Sequence, residues 1–247
     1  MTRRDALLTA AVAGTLAPLA LGWRGFLAWP AAHACVLYPT LRRNCAAFGP
    51  LATSFETPRR EVWLTIDDGP DSRDTPAMLD ILAMRGAKVT FFMIGQKVAA
   101  HRELVWRAHR EGHQIGNHTD SHPAAWFWAL GPCAMRREIE RGRDAIRVAT
   151  GAEPTVFRSP VGMTNPFVHS ALDGQQLVGW TVSGCDGLSA RGEIVVDRIM
   201  RGVKPGAILV LHEGGAAGRV ETLELLLDRL EEQGYACVIP PLEALRG

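Results

Sequence analysis

No C-x-x-C pair, internal repeat or low-complexity tract occurs in this chain, and its charges nearly cancel. The formal net charge of +1 gives no electrostatic case for nucleic acid as a partner. Basic groups such as Arg136-Arg137 and Arg141-Gly142-Arg143 then read as solvated helix faces rather than a binding stripe. The five cysteines (Cys35, Cys45, Cys133, Cys185 and Cys237) are odd in number and scattered, which argues against a disulfide framework and leaves the redox compartment undetermined. What is present is enough apolar material for one substantial core. A chain of 247 residues with 47% hydrophobic content can form a single large α/β domain, or a domain with an appendage.

The first forty residues differ in kind. Thr2-Arg3-Arg4 precedes an apolar run from Ala6 to Trp23, broken by Gly14, Thr15, Pro18 and Gly22. A poorer stretch from Phe26 to Tyr38 contains Pro30 and His33. About 20 apolar residues span a bilayer, so the first run nearly suffices and the second is short. The leading expectation is a membrane anchor or hairpin over residues 1–38, which would place the protein at a bacterial-type inner membrane. Export to the periplasm or cell envelope is the alternative. Arg3-Arg4 supplies a charged start, Ala32-His33-Ala34 is an A-x-A-like cleavage site, and Thr2 to Leu8 is loosely similar to a twin-arginine signal. A buried helix of a soluble domain is the third reading. Arg3-Arg4, Arg42-Arg43 and Arg59-Arg60 all favour the cytoplasmic side of a hairpin, so orientation stays open.

Residues 39–60, with Pro39, Pro50 and Pro58, read as a linker, and a single domain is expected over 61–247. There the pattern becomes regular. Short apolar runs predict strands at 62–67, 88–94, 114–118, 155–158, 176–182, 207–212 and 236–239. Helical periodicity predicts helices at 75–85, 97–111, 134–149, 166–172, 193–203 and 219–233, several of them stopped by glycine. Alternation of this kind means parallel strands with crossover helices, in an open doubly wound sheet or a closed barrel.

Parallel α/β folds gather their chemistry at the carboxyl ends of the strands. Five of the seven predicted ends carry unusual polar residues: Asp67 and Asp68, His118, Arg158, Asp186 and His212. Adjacent carboxylates on a strand point in different directions, so Asp67 and Asp68 can divide their labour between protons and a metal. His118 and His122, four positions apart, can reach one ion, and with Asp68 they make a two-His, one-carboxylate set with open positions. Arg158, at a strand end before a proline turn, suits a carboxylate partner such as Asp67. His212 ends a strand that is otherwise apolar, where a titratable ring is costly unless partnered. The remaining histidines fall on helix faces, near helix ends or in the N-terminal apolar segment, and are expected to be structural.

These motifs, in this order, resemble the polysaccharide deacetylases of the NodB-homology type, carbohydrate esterase family 4, over about residues 61–240. The family's T-F-D-D-G-P corresponds to Thr65-Ile66-Asp67-Asp68-Gly69-Pro70, and its H-[ST]-x-x-H to His118-Thr119-Asp120-Ser121-His122. Its R-x-P-x-G corresponds to Arg158-Ser159-Pro160-Val161-Gly162, and its L-x-x-H to Leu209-Val210-Leu211-His212. Two departures stand out. D-x-x-D-W reads Ser183-Gly184-Cys185-Asp186-Gly187, and Val161 replaces a usual aromatic, so the side chains that line an open saccharide groove are missing.

The resemblance implies a distorted (β/α)7 barrel and a hydrolase that removes an N-acyl group from an amino sugar in a polysaccharide or glycoconjugate. A divalent metal, Zn²⁺ before Co²⁺ or Mn²⁺, is expected on Asp68, His118 and His122. Asp67 would be the base, oriented by Arg158, and His212 the acid, with Asp186 orienting His212 or Arg158. The Val161 N–H would meet the oxyanion, and Leu211 would lie beside the substrate. Rival readings are a deacylase or deformylase of a lipid-linked sugar, acting at a membrane, and an inactive metal-containing saccharide-binding protein. A nuclease or phosphatase is disfavoured, because no second metal cluster is apparent.

Overall fold

The computed structural model describes residues 2–21, 25–188, 191–215 and 217–247. Two N-terminal helices, α1 (Arg3–Leu21) and α2 (Gly25–Leu41), pack against each other. The membrane segment expected over residues 1–38 is not supported. Among the described residues, no helix is long and apolar enough to cross a membrane. The physical reason lies in the composition: α1 has charged Arg3, Arg4 and Asp5 in its first turn, and α2 carries Pro30 and Pro39 inside only 17 residues.

The central strand is β2 (Glu61–Gly69), which pairs in parallel with β8 (Ala207–His212) on one side and β3 (Thr90–Met93) on the other. Both faces of β2 are covered, which is why its sequence is almost continuously apolar until the carboxylates. Beyond β3 follow β4 (Gln114–Asn117), β5 (Val156–Phe157) and β6 (Gln176–Leu177), all parallel. On the other flank, β1 (Ser54–Phe55) runs antiparallel to β8 and to β10 (Leu245–Arg246). β7 (Val182–Ser183) pairs with β8, and β9 (Ala236–Cys237) with β2. A parallel bridge between Ala52 and Val178 links the two flanks of the sheet. The result is a curled, irregular half-barrel rather than a regular ring of seven strands.

Two differences from the predicted pattern have local causes. The strand predicted over 176–182 is split into β6 and β7, because the chain between them crosses a gap. The Gly179 N–H donates to the Ala52 carbonyl and the Thr181 N–H to the Ile208 carbonyl. The helix predicted over 97–111 is α4 (Gly95–Ala100) and α5 (Arg102–Arg110), broken at His101, whose φ of −132° and ψ of 47° are not helical. Strands β1 and β10 lie outside the predicted pattern, β1 within residues 39–60; two residues each is too short for any periodicity to register.

Helices α3 (Asp74–Met84), α6 (Pro132–Thr150), α7 (Val168–Ala171), α8 (Gly192–Gly202) and α9 (Arg219–Glu232) complete the regular helices described. The alternation along β2 and β8 decides which residues meet what. Val62, Leu64 and Ile66, with Ala207, Leu209 and Leu211, join the core shared with α3, α8 and α9, where Met78, Leu82, Val196, Leu223 and Leu226 are buried. The alternate residues turn inside the curl. Trp63 and Ile208 form the apolar floor with Phe92, Val156 and Val178, and Thr65 and Asp67 stand above them. Each buried Leu or Ile of this kind contributes about 1.5–3 kcal/mol by leaving water.

Candidate active site

The register of the central pair sets Asp67 directly beside His212. Asp67 is 2% exposed and accepts a 2.7 Å hydrogen bond from the Arg158 Nη1. Arg158 is fully buried, and each of its three guanidinium nitrogens meets an acceptor held in a strand or turn. Nη1 also reaches the Thr65 hydroxyl at 2.6 Å, Nη2 the Gly179 carbonyl at 2.6 Å and Nε the Val178 carbonyl at 3.3 Å. Its guanidinium lies 4.2 Å from the Phe92 ring centre and 5.7 Å from that of Trp180. A cation held on four acceptors and two rings cannot turn away, and so fixes the Asp67 carboxylate.

Asp68 points the other way, with φ at 74°. Its Oδ1 lies 3.4 Å from the His118 Nε2 and 3.2 Å from the His122 Nε2, and the three donor atoms fall within 4.8 Å of one another. The histidine geometry suits a metal. His118 Nδ1 is 2.7 Å from the Arg158 carbonyl, which can only accept, so the ring proton resides there and the Nε2 lone pair faces Asp68. Asp68 Oδ1 is buried with no hydrogen-bond donor. That is costly for a carboxylate oxygen unless a cation meets it. Burial alone would raise the Asp68 carboxyl; the neighbouring His118, His122 and His212 outweigh it and hold the group below the usual carboxylate range. Burial and the neighbouring His118 push His122 down to about 4. Both groups are thus in their ligating forms at neutral pH.

Strain concentrates here. Asp68, Thr119, His122, Val161 and Cys185 all have positive φ, between 53° and 74°, although none is glycine. Such conformations persist where surrounding contacts over-determine them. Lys97 donates to the Asp68 carbonyl at 2.6 Å, and the Thr119 hydroxyl accepts from the His122 N–H at 3.0 Å. Gly69 admits no side chain, because a Cβ there would lie 1.6 Å from the Glu213 Oε1.

His212 Nδ1 and N–H both face the Asp186 carboxylate, each at 2.8 Å. Burial works against the imidazolium, but Asp186, Asp67 and Asp68 together raise His212 to about 9, so it holds a proton at neutral pH. Asp186 makes a further ion pair, at 2.9 Å, with Arg219 at the start of α9. Asp186 thus contacts His212, whereas the Arg158 nitrogens bond Asp67, Thr65, Val178 and Gly179.

One cleft of about 650 Å³ is lined by Asp67, Asp68, His118, His122, Val161, Asp186 and His212. Leu211 is not brought to it. One position along β8 from His212, it faces the opposite side of the sheet and is buried in the main core. The cleft is also lined by residues that strand-end reasoning missed: Arg43, Lys97, Trp180, Glu213 and Arg219. Burial raises the Glu213 carboxyl to about 8 although Thr75 bonds it, so a neutral acid sits one residue beyond His212. Only Glu213 carried a usable signal, an acid abutting an apolar strand end.

The family model for polysaccharide deacetylases matches residues 55–177. A chitooligosaccharide deacetylase of Bradyrhizobium is 34% identical over 202 residues, 75% of this chain and 90% of that protein. The chain belongs to the polysaccharide deacetylase family. It is accordingly a carbohydrate deacetylase, a hydrolase. The crystal structure of the Bc1960 peptidoglycan N-acetylglucosamine deacetylase superposes with a TM-score of 0.71 at 29% identity, covering 76% of this chain and 89% of that one. A similar likeness, with a TM-score of 0.70 at 25% identity, links this deacetylase to BA3943 of Bacillus anthracis, described as a pseudoenzyme of carbohydrate esterase family 4, over 76% of this chain and 66% of that one.

Proposed function

We propose that this chain is a metal-dependent deacetylase that removes an N-acyl group, acetyl in the first instance, from an amino sugar of an exported saccharide or glycoconjugate. The observation that carries this is the cleft that the Asp68–His118–His122 group shares with Asp67 and His212. Asp68, His118 and His122 would hold a divalent ion, Zn²⁺ being the best match to two imidazoles and a carboxylate, which would supply Lewis acidity and acidify a water at neutral pH.

The chain's own residues do the rest. Asp67, fixed by Arg158, accepts the proton of the attacking water. His212 donates its Nε2 proton to the departing amine while Asp186 holds Nδ1. Val161, strained into the left-handed region, turns its loop into the cleft and offers an N–H where negative charge develops on the acyl oxygen. Proton transfer of this kind typically contributes about 10²–10⁴-fold. Intact Asp67 and His212 favour this reading over an inactive saccharide-binding protein.

The test is acetate release from N-acetylated chitooligosaccharides by the Zn²⁺-loaded chain and its Asp67→Asn variant. The variant should bind metal normally and lose about 10²–10⁴ in kcat. Turnover equal to that of the parent would remove Asp67 from its role, and no release by the metal-loaded parent from any N-acylated sugar would sink the enzyme reading.

A further inference from the structure

The ladder between β2 and β3 breaks at one residue, Asp68. Thr65, Ile66 and Asp67 pair in order with Thr90, Phe91 and Phe92, and Gly69 pairs with Met93, so Asp68 is an extra residue facing none. On the other side of β2 the pairing with β8 ends at Asp67 and His212. Asp68 is therefore a β-bulge, with its φ of 74° in the left-handed region. A bulge re-aims a side chain and interrupts the ladder. Here it turns the Asp68 carboxylate toward His118 and His122, while Asp67 faces Arg158.

Three consecutive carbonyls cross this bulge, and each has a donor from a different place. The Asp67 carbonyl accepts from the Glu213 N–H at 3.0 Å, and the Gly69 carbonyl from the Ile94 N–H at 2.8 Å. Both donors are backbone. The Asp68 carbonyl between them accepts from the Lys97 Nζ at 2.6 Å. A side chain thus serves the one residue that has no facing partner in either strand, and a charged donor makes the stronger bond.

Lys97 lies in the first turn of α4, which also grips the histidine loop. The Gly95 and Gln96 N–H groups donate to the Thr119 and Asp120 carbonyls, each at 2.9 Å. One turn of helix therefore holds both segments that carry Asp68, His118 and His122. The charge of Lys97 works in the other direction. It lines the cleft, and an ammonium near a bound dication repels it. The carboxyls of Asp71 and Glu213 lie within its electrostatic reach and offset part of that charge. Holding the bulge and repelling the ion predict opposite effects on metal affinity.

We infer that Lys97 is a positioning residue for the metal centre: through the Asp68 carbonyl it fixes the bulge that aims this ligand, and it touches neither the ion nor the sugar. This rests on the metal-dependent deacetylase reading and adds to it the group that shapes the site.

The experiment measures the Zn²⁺ dissociation constant of the full chain by competition with a chromogenic chelator, and acetate release at saturating Zn²⁺. Lys97→Met should weaken Zn²⁺ binding about 10–100-fold, the usual loss when a group supporting a metal ligand is removed. Circular dichroism of the metal-free chain and the KM for chitooligosaccharides should stay as in the parent. Lys97→Arg, which keeps a cationic donor, should recover most of the affinity. In an Asp68→Ala background Lys97→Met should change it by no more than about twofold, because its route through Asp68 is gone. Lys97→Gln, whose amide falls short of the carbonyl, should shift affinity in the same direction and replaces Lys97→Met if that chain does not fold.

Unchanged or tighter Zn²⁺ binding by the folded variant overturns the proposal, and tighter binding would make Lys97 a repelling charge. A raised KM with parental Zn²⁺ affinity would make it a substrate contact and overturns the proposal equally. So does a full loss that persists in the Asp68→Ala background, or an arginine no better than methionine. No Zn²⁺ uptake by the parent would overturn the metal reading and the role of Lys97 with it. The expected affinities without acetate release from any sugar would leave Lys97 in place and overturn the deacetylase reading alone.

Discussion

Arg158 acts on both halves of the site: its guanidinium bonds the Asp67 carboxylate at 2.7 Å, and its carbonyl receives the His118 Nδ1 proton, also at 2.7 Å. One residue thus orients the proposed base through its side chain and sets the tautomer of a proposed metal ligand through its backbone. The two functions separate on substitution. Arg158→Met keeps the carbonyl and so should retain metal. It leaves Asp67 buried without a cation, which costs about 3–5 kcal/mol of stability when one member of a buried pair is removed. Urea unfolding and metal content measured on the same sample check this. Loss of metal in a folded Arg158→Met protein would show that the side chain also governs His118.

Metal removal gives a second prediction. Asp68 Oδ1 is buried without a donor, so the metal-free protein carries an uncompensated oxygen that an ion would satisfy. Zn²⁺ at 100 times its dissociation constant should add about 2.7 kcal/mol of stability, seen as a rise in Tm that a chelator reverses. Asp68→Asn should lose that rise, whereas Asp67→Asn should keep it. A Tm indifferent to Zn²⁺ in the parent chain would contradict the ligand assignment.

What the sequence disclosed follows from how local each feature is. Asp67, Asp68, His118, Arg158 and His212 were legible because each ends a strand of recognisable apolar pattern, and parallel sheets bring such ends together. Arg219 was not legible: it approaches Asp186 from the first turn of α9, and only the tertiary fold decides which charge a helix start will meet. Trp180 was hidden inside a run read as one strand, where the crossing from β6 to β7 instead turns its ring toward the cleft. Leu211 was misplaced because the motif gives spacing but not facing; alternation along β8 sends it to the core when His212 points inward. The N-terminal apolar run was near the length of a membrane span, but Arg3, Arg4 and Asp5 in α1 and Pro30 and Pro39 in α2 leave no described helix long and apolar enough to cross one.

A third prediction concerns acid. Burial depresses His113 to about 4, and its ring packs edge-on to Phe91 with centroids 5.5 Å apart. Its folded pKa lies below the unfolded value of about 6.5, so the unfolded chain takes up the proton first. The stability this neutral ring contributes is complete above about pH 6.5 and is lost as pH falls through about 4. With Zn²⁺ present to keep His122 in place, His113→Gln should flatten the decline of Tm over that interval. An unchanged slope would assign the acid sensitivity to other groups.

The alkaline side belongs to His212. Its pKa is raised to about 9 against burial, through Asp186, Asp67 and Asp68, so the protonated form that its proposed role as acid needs is lost as pH rises through that value. The same sign governs stability: the contribution is present in full below the unfolded value of about 6.5 and fades as pH passes about 9. A dication on Asp68 cancels part of the carboxylate attraction, so the limb in the kcat profile of the Zn²⁺-loaded enzyme should fall between these two figures. Asp186→Asn removes the nearest anion while preserving an acceptor for Nδ1, and should move the limb to lower pH with kcat reduced. Arg219→Gln, which withdraws the cation paired with Asp186 at 2.9 Å, frees that carboxylate to act more fully on His212 and should move the limb to higher pH. Opposite displacements by the two variants are the signature of a His212–Asp186–Arg219 chain. A limb that neither variant moves would mean that a group other than His212 supplies the proton.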